Sequence, residues 1–244
     1  MEKKIAAVIT LASGLLSTAV IGLTNQPTTW VGAFSGGPVW ESAGDTQTIY
    51  LTSDIEKTYD ADQSTNAVFD GEVFIGLQKP FSNMVWGQIG LAIAVTGDAP
   101  LSGVIWDDGD PEFANYNYSY QIQHSHVALK GKFFLDSNFP VVPWISASLG
   151  VGFNNASQFE STPIISEAVP TPDFSSHTQT TFTYTLGAGI QKIVDLHWQM
   201  GIGYEFADWG RSSLGHANGQ TSNSGLTLNH LYTNGVLFNV TYVS

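Results

Sequence analysis

One closely spaced set of side chains could support acid–base chemistry, the run His124-Ser125-His126. Nucleophilic catalysis by a serine needs a base within hydrogen-bonding reach. In a β-strand, neighbouring side chains point to opposite faces, so Ser125 points away from both histidines. Three further histidines occur in or beside irregular polar segments and show no triad spacing: His177, His216 and His230. We therefore predict no catalytic residue and no enzymatic activity.

The densest acidic segment is the run Asp107-Asp108-Gly109-Asp110-Pro111-Glu112. Carboxylate oxygens are the ligands that Ca²⁺ and Mg²⁺ prefer, so a divalent cation could bind here. The spacing is not that of an EF-hand loop, and a solvated loop has the same composition. We expect no resident metal, and the absence of cysteine excludes disulfides and thiolate ligands. No glycine-rich phosphate loop is present, and we predict no cofactor.

The elements that position these residues are strands. Charged residues make up only 12% of the chain, against roughly 25% in soluble domains. The formal net charge of −13 excludes nucleic acid as a partner. Apolar and polar residues alternate with a period of two, which is typical of β-strands. We count eight such segments: 28–40, 66–78, 84–97, 117–135, 141–154, 178–193, 196–209 and 226–243. The predicted fold class is all-β.

The breaks between the segments alternate in length. Four are long (41–65, 98–116, 155–177 and 210–225), and the three between them are short (79–83, 136–140 and 194–195). An up-and-down transmembrane barrel has this pattern, with short periplasmic turns and long external loops. We therefore predict an eight-stranded antiparallel up-and-down β-barrel with short periplasmic turns and four long extracellular loops.

Residue size indicates which face of each strand is inside. In the fifth segment Ile145, Leu149 and Phe153 share one face, while Ser146 and Ser148 share the other. The interior of an eight-stranded barrel has room only for side chains, so the compact polar face fits inside and the bulky face meets lipid. Aromatic residues near segment ends are expected at the membrane interfaces: Trp30, Trp144, Trp198, Trp209 and Tyr242. The alternative is an exported soluble barrel or sandwich with the bulky face inside.

Charged residues within the strands fit the same assignment. A lysine facing lipid at the bilayer midplane would cost about 2–4 kcal/mol, whereas opposite charges inside a barrel neutralise one another. We predict a luminal charge network that closes the barrel, formed by Asp70, Glu72, Lys130, Lys132, Glu205, His124, His126 and His197. The alternative is that some of these residues lie above the membrane in solvated strand extensions.

The N-terminus has the features of a secretory signal. Lys3 and Lys4 precede the mostly apolar stretch 5–16, and Ser17-Thr18-Ala19 is an acceptable cleavage site. The predicted organisation is a signal peptide at 1–19, a periplasmic segment at 20–27 and an outer-membrane barrel at 28–244. An uncleaved membrane anchor is the alternative for the first segment.

Glycine-alternating strands carry a resemblance to a known family. The runs Ser148-Leu149-Gly150-Val151-Gly152-Phe153 and Trp198-Gln199-Met200-Gly201-Ile202-Gly203 resemble those of the OmpA-like and OmpX-like eight-stranded outer-membrane barrels. The resemblance covers residues 28–244. It implies insertion by the outer-membrane assembly machinery, which usually reads a terminal aromatic residue, whereas this chain ends Tyr242-Val243-Ser244. It does not imply the peptidoglycan-binding domain of OmpA-like proteins.

The function predicted from these features is that of a monomeric, non-enzymatic barrel in the outer membrane of a Gram-negative bacterium. It would contribute to envelope integrity and to surface recognition or adhesion through its loops, because loops are where binding residues concentrate. Its partners would be outer-membrane lipids, lipopolysaccharide and an extracellular or host ligand. A narrow porin-like channel for small solutes is the first alternative, and a lipid A-modifying enzyme is the second.

Overall fold

The computed structural model describes most of the chain from residue 28 onward. The described residues are 28–42, 44–63, 65–82, 84–135, 139–166, 168, 172–221 and 225–244. The predicted signal peptide, the segment 20–27 and residues 136–138 of the second short turn lie outside them. Among the described residues, no helix has the length and apolar character needed to cross a membrane.

Strands dominate the described part of the chain. They are β1 (Thr29–Glu41), β2 (Gln47–Thr52), β3 (Ile55–Ala61), β4 (Ala67–Pro80), β5 (Val85–Asp107), β6 (Ala114–Leu135), β7 (Val142–Pro163), β8 (His177–Ile193), β9 (Trp198–Asp208), β10 (Ser212–Ser213), β11 (Thr227–Leu228) and β12 (Tyr232–Val243). A single 3₁₀ turn, Pro111–Phe113, joins β5 to β6 in this part of the chain.

Eight of these strands form a closed antiparallel ring. The order around the ring is β1, β4, β5, β6, β7, β8, β9 and β12, and β12 pairs with β1 to close it. Each ring strand contains most of one predicted segment, so the predicted eight-stranded up-and-down barrel is confirmed. The hairpin of β2 and β3 lies outside the ring and extends the sheet from the far end of β5.

The two faces of the ring are oriented as the sequence predicts. On the outside, Leu149 is 61% exposed, Phe182 is 62% exposed and Ile202 is 38% exposed, whereas Lys130 on the inside is 8% exposed. On β7 the bulky outward positions run from Ile145 to Phe153. That span matches the roughly 9–11 residues with which a tilted strand crosses a bilayer. We call the band of outward apolar residues around the ring the apolar belt. Its height matches the thickness of a lipid bilayer.

The strand lengths correct the bounds of the predicted long loops. Much of the predicted loops 98–116 and 155–177 is strand, because β5 continues to Asp107, β6 starts at Ala114 and β7 continues to Pro163. The predicted loop 41–65 contains the hairpin of β2 and β3. Apolar residues in these extensions pack against one another, and this burial stabilises paired strands in place of irregular loops.

These extensions form a folded unit beyond the belt, which we call the head. It comprises the described residues of 42–66, 98–123, 155–176 and 209–231. A cluster of buried apolar side chains fills it. Its largest fully buried members are Tyr59, Tyr116, Ile105, Ile122, Trp209, Leu214 and Leu231. The Tyr59 ring centroid lies 5.5 Å from the ring centroids of Tyr118 and Phe174, which are distances of favourable aromatic pairs.

The aromatic residues expected at the interfaces divide into two groups. Trp30, Trp198 and Tyr242 are exposed near the short-turn end of the barrel, as the prediction requires. For Trp144 and Trp209 the prediction is wrong. Trp144 occupies an inward position and borders a luminal cavity, and Trp209 is buried in the head, where its indole stacks on an imidazole ring.

Candidate functional site

An ion cluster crosses the lumen at mid-height. Lys130 on β6 donates from Nζ to Oε1 of Glu72 on β4 at 2.7 Å and to Oε2 of Glu205 on β9 at 3.0 Å. All three side chains are inward and no more than 11% exposed. Lysine lies between the two carboxylates, so each acid has a cation beside it. A buried charge is tolerated only in such a paired and hydrogen-bonded arrangement.

Two predicted members of the network lie near this cluster without joining it. Asp70 is buried one inward position beyond Glu72 on β4, and its Oδ1 has no hydrogen-bond partner among the described residues. Lys132 donates to Oε1 of Gln191 at 3.0 Å, and its Nζ lies 4.1 Å from the ring centroid of Trp144. The structure thus gives Lys132 an amide and a π-face as partners.

A cavity of about 40 Å³ lies on the short-turn side of the ion cluster. Its lining includes Ser146, Trp144 and Asn239, whose Oγ, Nε1 and Oδ1 atoms are buried without partners among the described residues. A volume of this order suits a few water molecules and is too small for larger solutes.

The two luminal histidines form the boundary between the lumen and the head. The amide of Asn154 donates from Nδ2 to the carbonyl oxygens of Trp209 and Arg211, so its Oδ1 accepts from Nδ1 of His124 at 2.6 Å. Nε2 of His124 lies 3.0 Å from Nδ1 of His126. The His124 ring also stacks on Trp209 at 4.8 Å. This layer fastens the segment after β9 to the barrel wall.

His197 is not part of the luminal network, which corrects the prediction for this residue. The strand begins at Trp198, so His197 lies in the turn before it. Its Nδ1 donates to the carbonyl oxygen of Val243 at 2.8 Å, and its ring stacks on Tyr242. The backbone N–H groups of His197 and Trp198 donate to Asp195, and these bonds lower the pKa of that carboxyl group.

The acidic run 107–112 forms the tip of the β5–β6 hairpin. Asp107 accepts from Nζ of Lys57 and from Nδ2 of Asn115, and Oδ1 of Asp110 accepts from the backbone N–H of Glu112. Two of its carboxylates therefore stabilise the turn itself. Nothing in this arrangement tests the prediction that no metal is resident, which stays a prediction.

Burial in the head also affects tyrosine hydroxyls. Burial raises the pKa of Tyr59 and of Tyr118 well above the usual range, so both stay protonated at any physiological pH. The hydroxyl of Tyr59 has no hydrogen-bond partner in the described structure. Both rings therefore serve as packing groups.

Several partners of the luminal residues belong to other strands and were not among the predicted site residues. Three such residues each contact a predicted luminal residue: Gln191, Asn154 and Trp144. All three occupy the alternate positions of their strands whose side chains point inward, which we call inward parity. Parity alone could have placed them in the lumen. Their heights relative to Lys132 and His124 depend on the stagger between strands, which no single segment encodes.

Comparisons with solved structures return outer-membrane barrels. Neisserial surface protein A is 11% identical over 89% of this chain and 99% of that chain, with a TM-score of 0.45. The outer membrane protease OmpT from Escherichia coli is 8% identical over 92% and 99%, with a TM-score of 0.46. Ail, the attachment invasion locus protein of Yersinia pestis, is 12% identical over 88% and 99%, with a TM-score of 0.38.

Comparisons by sequence return nothing: no protein-family model and no curated protein matches the chain. The assignment therefore rests on the molecule's own structure. Only helices and closed barrels satisfy all backbone hydrogen bonds within lipid, and membrane barrels pair an apolar exterior with a polar interior. With its closed ring of eight strands, apolar belt and charged lumen, the chain has the architecture of a transmembrane β-barrel of the outer-membrane type.

Proposed function

We propose that the protein is a closed, non-enzymatic barrel that contributes to envelope integrity and presents its head for recognition or adhesion at the cell surface. One observation carries the proposal: the head has its own packed aromatic core, continuous with the strands of the barrel. Loops that only joined strands would have no need of such a core. The head is therefore a preformed surface.

A preformed surface favours binding for a physical reason. Ordering mobile side chains and loops on association costs about 0.5–1.5 kcal/mol for each immobilised side chain. In the head, these side chains and loops are already ordered when the protein folds. Hydrogen bonds tie its separate segments together, since the side chain of Gln47 bonds to Thr227 and the carbonyl oxygen of Leu51 accepts from the N–H of Thr221.

The closed interior favours this proposal over the channel alternative. A solute on the barrel axis would meet the ion pairs of Lys130 and then the aromatic core around Tyr59 and Phe174. The histidine pair offers the enzyme alternative little, because Ser125 faces outward and the two imidazoles contact each other. Both observations support a role at the surface.

Two measurements on the same protein test the proposal. In planar bilayers the purified barrel should be silent, and Lys130→Ala should stay silent because the core of the head still blocks the axis. Solute-dependent conductance that rises in Lys130→Ala would favour the channel.

Adhesion tests the surface role. Bacteria that display the protein should bind to epithelial cells or matrix-coated surfaces, and a head-specific antibody fragment should abolish the binding. A fragment against the purification tag at the periplasmic terminus is the matched control. Equal adhesion of displaying and non-displaying cells would refute the recognition role. Heat-modifiable gel mobility verifies that the displayed barrel is folded.

A further inference from the structure

The outermost edge of the head carries exposed apolar side chains among carboxylates. We call this edge the tip ridge. Its apolar members are Ile55, Phe113, Ile164 and Ile165, each at least 41% exposed. Its acidic members are Asp54, Glu56, Asp108, Asp110 and Glu112. Exposed aromatic and aliphatic side chains within a charged rim are the composition of a binding surface.

Backbone contacts place these residues side by side. The N–H of Asp108 donates to the carbonyl oxygen of Glu56 at 3.2 Å, which joins the tip of β3 to the tip of β5. The N–H of Ile164 donates to the carbonyl oxygen of Asn115 at 2.7 Å, which joins the end of β7 to the start of β6. The ridge therefore runs across four neighbouring strands.

The ridge is held in place from below. Phe113 ends the 3₁₀ turn, and its N–H donates to the carbonyl oxygen of Asp110 at 2.9 Å. Beneath the turn, Tyr116 is buried and its ring contacts Nζ of Lys57. Lys57 is turned inward to Asp107 and is only 10% exposed, so it does not neutralise the outer carboxylates. The ridge presents a fixed apolar and anionic surface.

We propose that the tip ridge binds a cationic amphipathic peptide segment of an extracellular partner. Basic side chains of the segment would contact the carboxylates, and its apolar face would cover Phe113 and Ile164. This proposal rests on the proposed recognition function and names the chemistry of its partner. An anionic lipid surface fits poorly, because the carboxylates would be repelled by the lipid phosphates.

The test uses the full-length barrel in nanodiscs of zwitterionic phosphatidylcholine. The probe is a fluorescent 15-residue Leu/Lys peptide with a helical amphipathic pattern, and the matched probe carries Glu at every Lys position. Fluorescence anisotropy should detect binding of the Leu/Lys peptide that weakens with added salt. The Leu/Glu peptide and protein-free nanodiscs should give no binding.

Two pairs of substitutions separate the contributions of charge and apolar contact. Asp108→Asn with Glu112→Gln should weaken binding about fivefold and reduce its salt dependence. Phe113→Ser with Ile164→Ser should weaken it about tenfold with the salt dependence unchanged. The control pair Asp62→Asn with Asp98→Asn removes the same charge from exposed positions elsewhere on the head and should leave the affinity within twofold.

Several outcomes would overturn the inference. They are an absence of binding at low salt, equal binding of the Leu/Glu peptide, and an equal loss of affinity in the control pair. Heat-modifiable mobility confirms that each variant is folded. If the peptide does not bind but displaying cells still adhere through the head, this inference fails and the proposed function stands. If adhesion fails as well, both fail.

Discussion

The interior of the barrel and the interior of the head have opposite chemistry. Inside the belt, Lys130 lies between Glu72 and Glu205, and small or polar side chains fill most of the remaining space. Inside the head, aromatic and aliphatic side chains such as Tyr59 and Phe159 pack together. The surrounding solvent therefore determines which face of a strand is apolar. In lipid the apolar side chains lie on the outside, and in water they are buried inside.

Strand β6 shows the inversion without any break in its alternation. Near the head its inward residues are apolar, including Tyr118 and Ile122, while its outward residues include Ser119 and Gln121. Within the belt the pattern reverses, with Lys130 inward and bulky apolar residues outward. The change occurs at the histidine pair, at the height where the apolar belt ends: Ser125, between the two histidines, pairs with Phe153 at the end of the belt on β7.

The largest expected effect comes from removing the luminal cation. Lys130→Met leaves Glu72 and Glu205 buried together without a positive charge, and breaking a buried pair in this way costs about 3–5 kcal/mol. Urea-induced unfolding in lipid vesicles, followed by tryptophan fluorescence, should show this loss. The control is Lys192→Met, at an exposed position near the short-turn end of β8, and it should change the unfolding free energy by about 0.5 kcal/mol or less.

A triple variant sharpens this prediction. Lys130→Met combined with Glu72→Gln and Glu205→Gln removes all three charges and should recover most of the loss, because no uncompensated charge stays buried. If Lys130→Met alone left the stability unchanged, the lumen would not depend on charge pairing, and the contrast with the head would lose its basis.

The corresponding substitution in the head should affect packing in the head alone. Tyr59→Ala removes a fully buried ring, and truncation of a buried aromatic residue costs about 3–5 kcal/mol. We expect protease cleavage within the head to accelerate while the heat-modifiable mobility of the barrel persists. Ile55→Ala, at a 45% exposed position of the same hairpin, is the control and should leave the cleavage rate almost unchanged. Loss of the barrel itself would show that the two regions are one cooperative unit.

A smaller effect on the unfolding free energy is expected from substitutions on the outer surfaces of the belt and of the head. Leu129→Lys places a charge in the belt and should cost about 2–4 kcal/mol at the midplane. Ser119→Lys, outward on the same strand but in the head, should cost about 0.5 kcal/mol or less. Unfolding of both variants in the same vesicles gives the comparison. Equal costs would mean that the belt does not end between these two positions.

Sequence patterns predicted the barrel better than they predicted the head. Each ring strand contains most of one predicted segment, and parity placed Glu72, Lys130 and Glu205 on the inside. Parity could not tell that Lys132 meets Gln191, because heights across the lumen follow from the stagger of the whole ring. It also misplaced His197, because the strand begins at Trp198, two residues after the predicted start, and leaves His197 in the turn.

The head was missed for a different reason. In the predicted loop 98–116, Pro100, Ser102 and Gly103 interrupt the apolar pattern, and a β-bulge between Val95 and Asp98 shifts its phase. Apolar residues at every second position from Tyr116 to Ile122 gave a usable signal on the neighbouring strand. That alternation has the phase of a water-exposed sheet, whereas the belt has the phase of a lipid-exposed one, so the two regions needed opposite interpretations.

A cysteine scan along β6 measures which solvent each face of the strand meets, in the belt and in the head. The chain has no cysteine, so each variant carries a single site for a spin label. In lipid bilayers, labels at positions 127, 129 and 133 should be accessible to oxygen. Labels at positions 117, 119, 121 and 123 should be accessible to a water-soluble nickel reagent. Labels at the even-numbered positions between them should be accessible to neither reagent. Oxygen accessibility that peaked at 120 and 122, with labels at 129 and 133 shielded from lipid, would contradict the account.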